Sequence, residues 1–159
     1  MRWGYFAIAL LGVMLAQTAL APDWVDLFAA LAFVIALTAA APEACLAAWM
    51  TGFVQDLAST GRLGIHAVLL GVAAWVLVRV RELVNREIGW VRWLVICVVA
   101  LPLQYFFVLY QRVWEAAHFT WRSAVVYPLG VAACSALVAA LALAVPTFYA
   151  RRRHQALRW

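Results

Sequence analysis

Long apolar runs separated by short polar segments make up almost the whole chain. About 20 apolar residues are needed to cross the hydrocarbon core of a bilayer as an α-helix. Six runs come near that length and predict membrane-spanning helices: residues 3–21, 25–41, 44–57, 63–78, 93–112 and 123–149. The pattern therefore predicts an all-α integral membrane protein, a bundle of six transmembrane helices in a single domain of residues 1–159.

Two of the six runs leave alternatives open. Residues 44–57 are few for a full span and include Asp56, so this segment could instead form a re-entrant hairpin with the loop after it. Residues 1–21 have the basic start, apolar run and small-residue end of a cleavable signal peptide. The length of that run, and Pro22 directly after the cleavage position, favour its retention as the first helix.

Composition supports the membrane assignment. Apolar residues make up 69% of the chain and charged residues 12%, and the mean hydropathy is +0.94, whereas a soluble domain has roughly 45–50% apolar and about 25% charged residues. The net charge of +5 comes from arginine alone. Because the arginines flank the apolar runs, they fit membrane boundaries better than a nucleic-acid surface.

Arginine placement also predicts the orientation. With both termini inside, nine arginines face the cytoplasm and three face outward, as the positive-inside rule requires. The inner set is Arg2, Arg79, Arg81, Arg86, Arg92, Arg151, Arg152, Arg153 and Arg158, and the outer set is Arg62, Arg112 and Arg122. The predicted topology is N-in and C-in.

Motifs of soluble enzymes are missing. The sequence has no GxSxG, HExxH, P-loop or dinucleotide-binding pattern, and His66, His118 and His154 lie in three separate regions. We therefore expect no enzyme activity, no metal site and no cofactor. An intramembrane enzyme is a rival hypothesis, and it requires two polar side chains that converge at one depth.

The densest signal for function lies between residues 52 and 67. Ala48, Gly52 and Asp56 share one helical face, and small residues at this spacing allow another helix to approach closely. An acid in or near a membrane span is costly and marks a functional site by default. Asp56 either ends the third helix, by capping the turn or pairing with Arg62, or organises a loop for a partner.

Two further glycines lie on one stripe of the fourth helix. Gly64 and Gly71 are seven residues apart and so share a face. We predict that at least one of them closely touches the backbone of another helix.

This region resembles the bacterial rod shape-determining protein family MreD. That family reads roughly as Gly, three residues, Asp, a short polar turn, then Leu-Gly and a following Ala. The matching segment is Gly52-Phe-Val-Gln-Asp56-Leu-Ala-Ser-Thr-Gly61-Arg62-Leu63-Gly64-Ile-His-Ala67. Specific residues match only there, although chain length, apolar content and a basic loop after the motif also fit.

The resemblance implies a non-enzymatic scaffold of the cell-wall elongation machinery in the bacterial inner membrane. Its expected partner is an MreC-like membrane protein, which would connect it to the actin-like MreB and to the wall-building glycosyltransferase and transpeptidase. The expected partner-binding or motif residues are Gly52, Asp56, Gly61, Arg62, Leu63, Gly64 and Gly71. The fold is also similar to the substrate-binding subunits of energy-coupling-factor transporters, which supplies the alternative function of small-molecule transport.

A predicted cytoplasmic loop carries the remaining basic residues. Arg79, Arg81, Arg86 and Arg92 would set the topology and contact anionic lipid headgroups, or dock a cytoplasmic partner. In the fifth helix, Pro102 predicts a kink, and Gln104 would bond to a neighbouring helix or contact a ligand.

Overall fold

The computed structural model describes residues 3–19, 25–59, 63–84, 89–114 and 125–156, without the side chains of 82–84, 89–92, 111–114 and 144–156. Over these ranges the only regular secondary structure is helix, and no strand occurs. The six helices are α1 (Trp3–Ala19), α2 (Leu27–Thr38), α3 (Ala41–Ala58), α4 (Ile65–Val84), α5 (Gly89–Trp114) and α6 (Tyr127–Ala156). The predicted all-α class with six helices is confirmed.

The α2–α3 boundary differs from the prediction. α2 ends at Thr38, and Pro42 lies in the first turn of α3 instead of ending α2. Proline is well tolerated there, because the first backbone N–H groups of a helix have no partner within the helix. α3 is consequently a continuous helix of 18 residues, about 27 Å long. The re-entrant alternative, which would turn in the loop after α3, stays open.

The α4 helix continues further than expected. It runs to Val84, so Arg79 and Arg81 belong to its last turns and not to a loop. Arginine and glutamate favour helices, and Arg81 Nη1 donates a hydrogen bond to the carbonyl oxygen of Ala39, 2.6 Å away. This bond fastens the end of α4 to the end of α2.

α2 lies at the centre of the bundle and contacts α1, α3, α4 and α6. Most of its side chains are buried, and many of them are alanines. Alanines of α3, α4 and α6 face them across the core, around larger side chains such as Phe33 and Leu77. Small residues let helix backbones approach closely, so van der Waals contact holds the bundle together.

Helix ends alternate between two ends of the bundle. The last turns of α1 and α3 and the first turns of α2, α4 and α6 surround a single cavity, whereas the last turn of α4 meets the end of α2 at Ala39 on the opposite side. Helices that follow one another along the chain therefore run in opposite directions, whereas α4 and α6, which both contact α2, run in the same direction as α2.

One described helical stretch, Trp93–Tyr110 in α5, is both long and apolar enough to cross a membrane. The apolar stretches Trp3–Ala19, Leu27–Thr38 and Tyr127–Leu143 are shorter. The crossing of a membrane by all six helices, and the orientation of the bundle, stay predictions.

Candidate functional site

Asp56 is the most completely bonded polar side chain at the junction of α3 and α4. It is 1% exposed. Its Oδ2 accepts the backbone N–H groups of Gly64 at 2.9 Å and Ala67 at 3.1 Å. Its Oδ1 accepts the backbone N–H of His66 at 3.1 Å and lies 2.7 Å from His66 Nδ1. A carboxylate has about four acceptor positions, so this one is fully used.

The three backbone donors explain why α4 begins where it does. The carbonyl of Gly64 accepts the first hydrogen bond of α4, from Val68 N–H, which makes Gly64 the N-cap residue. A glycine has no side chain to bond the free N–H groups of the first turn. Asp56 supplies that acceptor from the last turn of α3, and its negative charge lies at the positive end of the α4 dipole.

Asp56 is therefore a capping residue, but the expectation that it ends the third helix is wrong. The carboxylate caps the start of α4, while the end of α3 is closed by Ser59, whose N–H bonds to the carbonyl of Gln55. Gly61 and Arg62 lie outside the described residues, so the predicted Asp56–Arg62 pair stays a prediction. The observed side-chain partner of Asp56 is His66.

Gly52 is where α3 and α4 come closest. A Cβ added there would lie 2.6 Å from the Cα of Ala67 and closer still to the carbonyl oxygen of His66. Real Cβ atoms do not approach backbone this closely. The small-residue face of α3 is therefore filled by the first turn of α4, and the carboxylate one helical turn later bonds to that same turn.

The remaining glycines behave differently from the prediction. Gly64 has no described atom within 4 Å of an added Cβ, but its φ of +100° is a backbone conformation that favours glycine. An added Cβ at Gly71 would meet only the side chain of Trp49, at 3.6 Å. The prediction of a close backbone contact at Gly64 or Gly71 is therefore wrong for the described residues. The close approach between helix backbones occurs at Gly52 instead. Leu63 is exposed in the turn before α4.

The Asp56–His66 pair resembles the orienting half of a catalytic triad. A carboxylate beside Nδ1 fixes the imidazole tautomer and leaves Nε2 free. The convergence of two polar side chains that the enzyme hypothesis required is thus present. Within the described part of the chain, however, His66 has no hydroxyl or thiol hydrogen-bonded to it, so the pair lacks a nucleophile there.

A second polar network lies beside the first. Asp26 caps α2 through Oδ1, which accepts Ala29 N–H at 2.9 Å, and its Oδ2 accepts the Gln55 amide at 3.1 Å. The backbone N–H of Asp26 donates to Ser135 Oγ of α6 at 3.2 Å. Gln17 of α1 closes the network by bonding the backbone of Val25 and of Leu27.

Both networks border one cavity of about 440 Å³. Polar groups of five helices line it, together with apolar and aromatic side chains such as Phe33 and Phe107. The His66 ring lies 4.6 Å from the Phe107 ring, centroid to centroid. The polar lining residues are Gln17, Thr18, Asp26, Gln55, Ser59, His66, Gln104, Tyr127 and Ser135.

The predicted basic residues do not join this site. Arg81 ties α4 to α2, and the guanidinium of exposed Arg79 lies 5.4 Å from the centre of the Trp75 ring. Arg86 and the side chain of Arg92 lie outside the described residues. The two described arginines thus lie at the opposite end of the bundle from Asp56.

Sequence reasoning missed the Asp26 network and the His66 contact. Asp26 precedes an apolar run and so carries the local signal of an N-cap residue. Its links to Gln55 and Ser135 had no such signal, because they join positions 29 and 109 residues apart.

No protein-family model, curated protein or solved structure matches this chain.

Proposed function

We propose that this protein is a non-enzymatic, multi-pass scaffold of the bacterial inner membrane that binds an MreC-like partner within the cell-wall elongation machinery. Through that partner it would connect to the actin-like MreB and to the enzymes that polymerise and cross-link the wall.

One observation supports the proposal most. The motif that carries the resemblance to MreD forms a single physical unit, in which Gly52 admits α4, Asp56 caps it and Gly64 provides the turn. Each of these three positions has a requirement that few other residue types meet. This fit between the motif and the α3–α4 junction is what supports the proposal.

The geometry also refines how a partner would bind. The faces of Gly52 and Gly71 are covered by α4 and by Trp49, so a partner helix has no groove to enter there. What the junction offers instead is a rigid end of the bundle, fixed by the bonds to Asp56. We infer that the partner contacts this end, around exposed Leu63.

Affinity capture of the tagged full chain in mild detergent tests the proposal. Wall-elongation proteins should co-purify with the parent chain. Asp56→Asn should insert at a matched membrane level and capture less partner, because it loosens the junction. Glu43→Gln is a matched control, since it removes a carboxylate from the other end of the same helix.

Two results would overturn the proposal. One is the absence of wall-elongation proteins from the parent capture. The other is full capture and normal rod shape with Asp56→Asn, which would reduce Asp56 to a helix cap.

The cavity favours a second candidate function, the substrate-binding subunit of an energy-coupling-factor type transporter. Its volume of about 440 Å³ lies within the range of small-molecule sites, about 300–1,000 Å³. Its mix of apolar walls and few polar groups is also typical of such sites. Co-purification of a pair of ATPases in the same capture experiment would support this function over the scaffold.

A further inference from the structure

One polar side chain that lines the cavity has a buried atom without a hydrogen-bond partner among the described residues. This atom is Gln55 Oε1, although the amide nitrogen of the same side chain is bonded to Asp26. A buried acceptor without a partner is costly and needs an explanation. Because this oxygen is enclosed by protein atoms, a ligand that donates a hydrogen bond could reach it only after the amide of Gln55, which lines the cavity, rotates.

The charged residues around the cavity also favour a ligand that donates hydrogen bonds. Asp26 lines it, Asp56 lies directly behind His66, and the described lining contains neither lysine nor arginine. Each Asp26 oxygen accepts one protein hydrogen bond, which leaves further acceptor positions. An anionic ligand would meet no counter-charge among the described lining residues, and burying an unpaired charge is strongly unfavourable.

The apolar part of the cavity determines the chemical character of the rest of the ligand. Phe28, Phe33 and Phe107 line it together with Leu69 and Leu103. These side chains suit an apolar or aromatic group, while the polar groups of Asp26 and Gln55 suit a donor at one end of it.

We propose that the cavity binds a small organic amine, whose protonated amino group lies between Asp26 and Gln55 and whose apolar body lies among the phenylalanines. This inference deepens the second candidate function, because it names the ligand class of the same cavity. It requires no partner protein, so its failure and that of the scaffold proposal are distinguishable.

The test uses the purified full chain in phosphatidylcholine nanodiscs and four probes of one size. These are 2-phenylethylamine, 2-phenylethanol, phenylacetate and the quaternary phenylethyltrimethylammonium, with binding measured by calorimetry and by thermal unfolding. The primary amine should bind at least about tenfold more tightly than the carboxylate and the quaternary ion. Tenfold corresponds to roughly one charge-assisted hydrogen bond.

Variants locate the site. Asp26→Asn keeps a good N-cap residue for α2 but removes the charge, so it should weaken amine binding about tenfold and leave alcohol binding nearly unchanged. Gln55→Leu should weaken both. Thr38→Val is the control: Thr38 is exposed, bonds only to its own helix and does not line the cavity.

Repeating the titration in phosphatidylethanolamine nanodiscs distinguishes two sources of the natural amine, a lipid headgroup and a free small molecule. Weaker apparent binding there would identify the lipid headgroup as the natural competitor, and unchanged binding would identify a free amine. Both support an amine site. Equal binding of amine and carboxylate, no binding of any probe, or an unchanged amine affinity in Asp26→Asn would overturn the proposal.

Discussion

Replacing Asp56 by asparagine should destabilise the fold, and the structure shows which hydrogen bonds would be lost or weakened. The amide NH₂ group must replace one of the two carboxylate oxygens. At Oδ2 it would face two backbone donors, those of Gly64 and Ala67. At Oδ1 it would face the His66 N–H and His66 Nδ1, and the imidazole can change tautomer so that Nδ1 accepts.

The second orientation costs less, because it leaves only the His66 backbone N–H unpaired. That buried group costs about 1–3 kcal/mol. The bonds from Gly64 and Ala67 remain, but each falls from about 1.5–3 kcal/mol with a charged acceptor to about 0.5–1.5 kcal/mol with a neutral one. We therefore expect Asp56→Asn to lower the free energy of unfolding by about 3–6 kcal/mol, and Asp56→Leu, which removes every acceptor, to lower it more.

The measurement is unfolding of the full chain in mixed detergent micelles, followed by the helical circular dichroism signal. NMR of the imidazole nitrogens provides a second readout, because His66 should change tautomer in Asp56→Asn. Thr38→Val is the control: it removes an exposed hydroxyl that bonds only within its own helix, so it should change the free energy of unfolding by no more than about 0.5 kcal/mol. The reasoning fails if Asp56→Asn unfolds within about 0.5 kcal/mol of the parent chain, or if Asp56→Leu is no worse than asparagine.

Further predictions concern backbone geometry and topology. Gly52→Ala should destabilise by about 1–3 kcal/mol in the same assay, since the backbone of α4 must move. Gly64→Ala should cost about 1–2 kcal/mol, because its φ of +100° disfavours a Cβ. Gly12→Ala is the control for both: it has open space around it within a helix and should gain up to about 1 kcal/mol, so a loss there as large as at Gly52 would contradict the argument. Reporter fusions after Trp159 should read cytoplasmic and fusions within 115–118 external, and a cytoplasmic reading at 115–118 would remove the six-span topology.

The helices were predictable from sequence because apolar run length is a local property. The ends of the helices were less predictable, as Pro42 shows. A proline can follow one helix or begin the next, and the contacts of the surrounding chain determine which of the two occurs. The charge of Arg79 and Arg81 predicts a loop in solvent, but their long apolar stems and good helix propensity let α4 continue.

The site was predictable in part for a similar reason. Asp56 and Gly52 stood out because an acid and a glycine four residues apart have few roles within an apolar helix. Their partner in the structure is the start of the next helix, which sequence spacing alone could not distinguish from a separate protein. The cavity had no sequence signal, because it forms only where the ends of several helices meet.

The two polar networks differ in the sequence separation between the residues that they join, and this difference affects the order of folding. Every bond to Asp56 comes from a residue at most 11 positions later, so its carboxylate is satisfied once the first turn of α4 has been synthesised. The α3–α4 hairpin can then form as a local unit with little loop entropy to overcome. The Asp26–Ser135 bond spans 109 positions and closes only when α6 docks. During synthesis, the Asp56 junction should therefore be complete well before the cavity beside it exists.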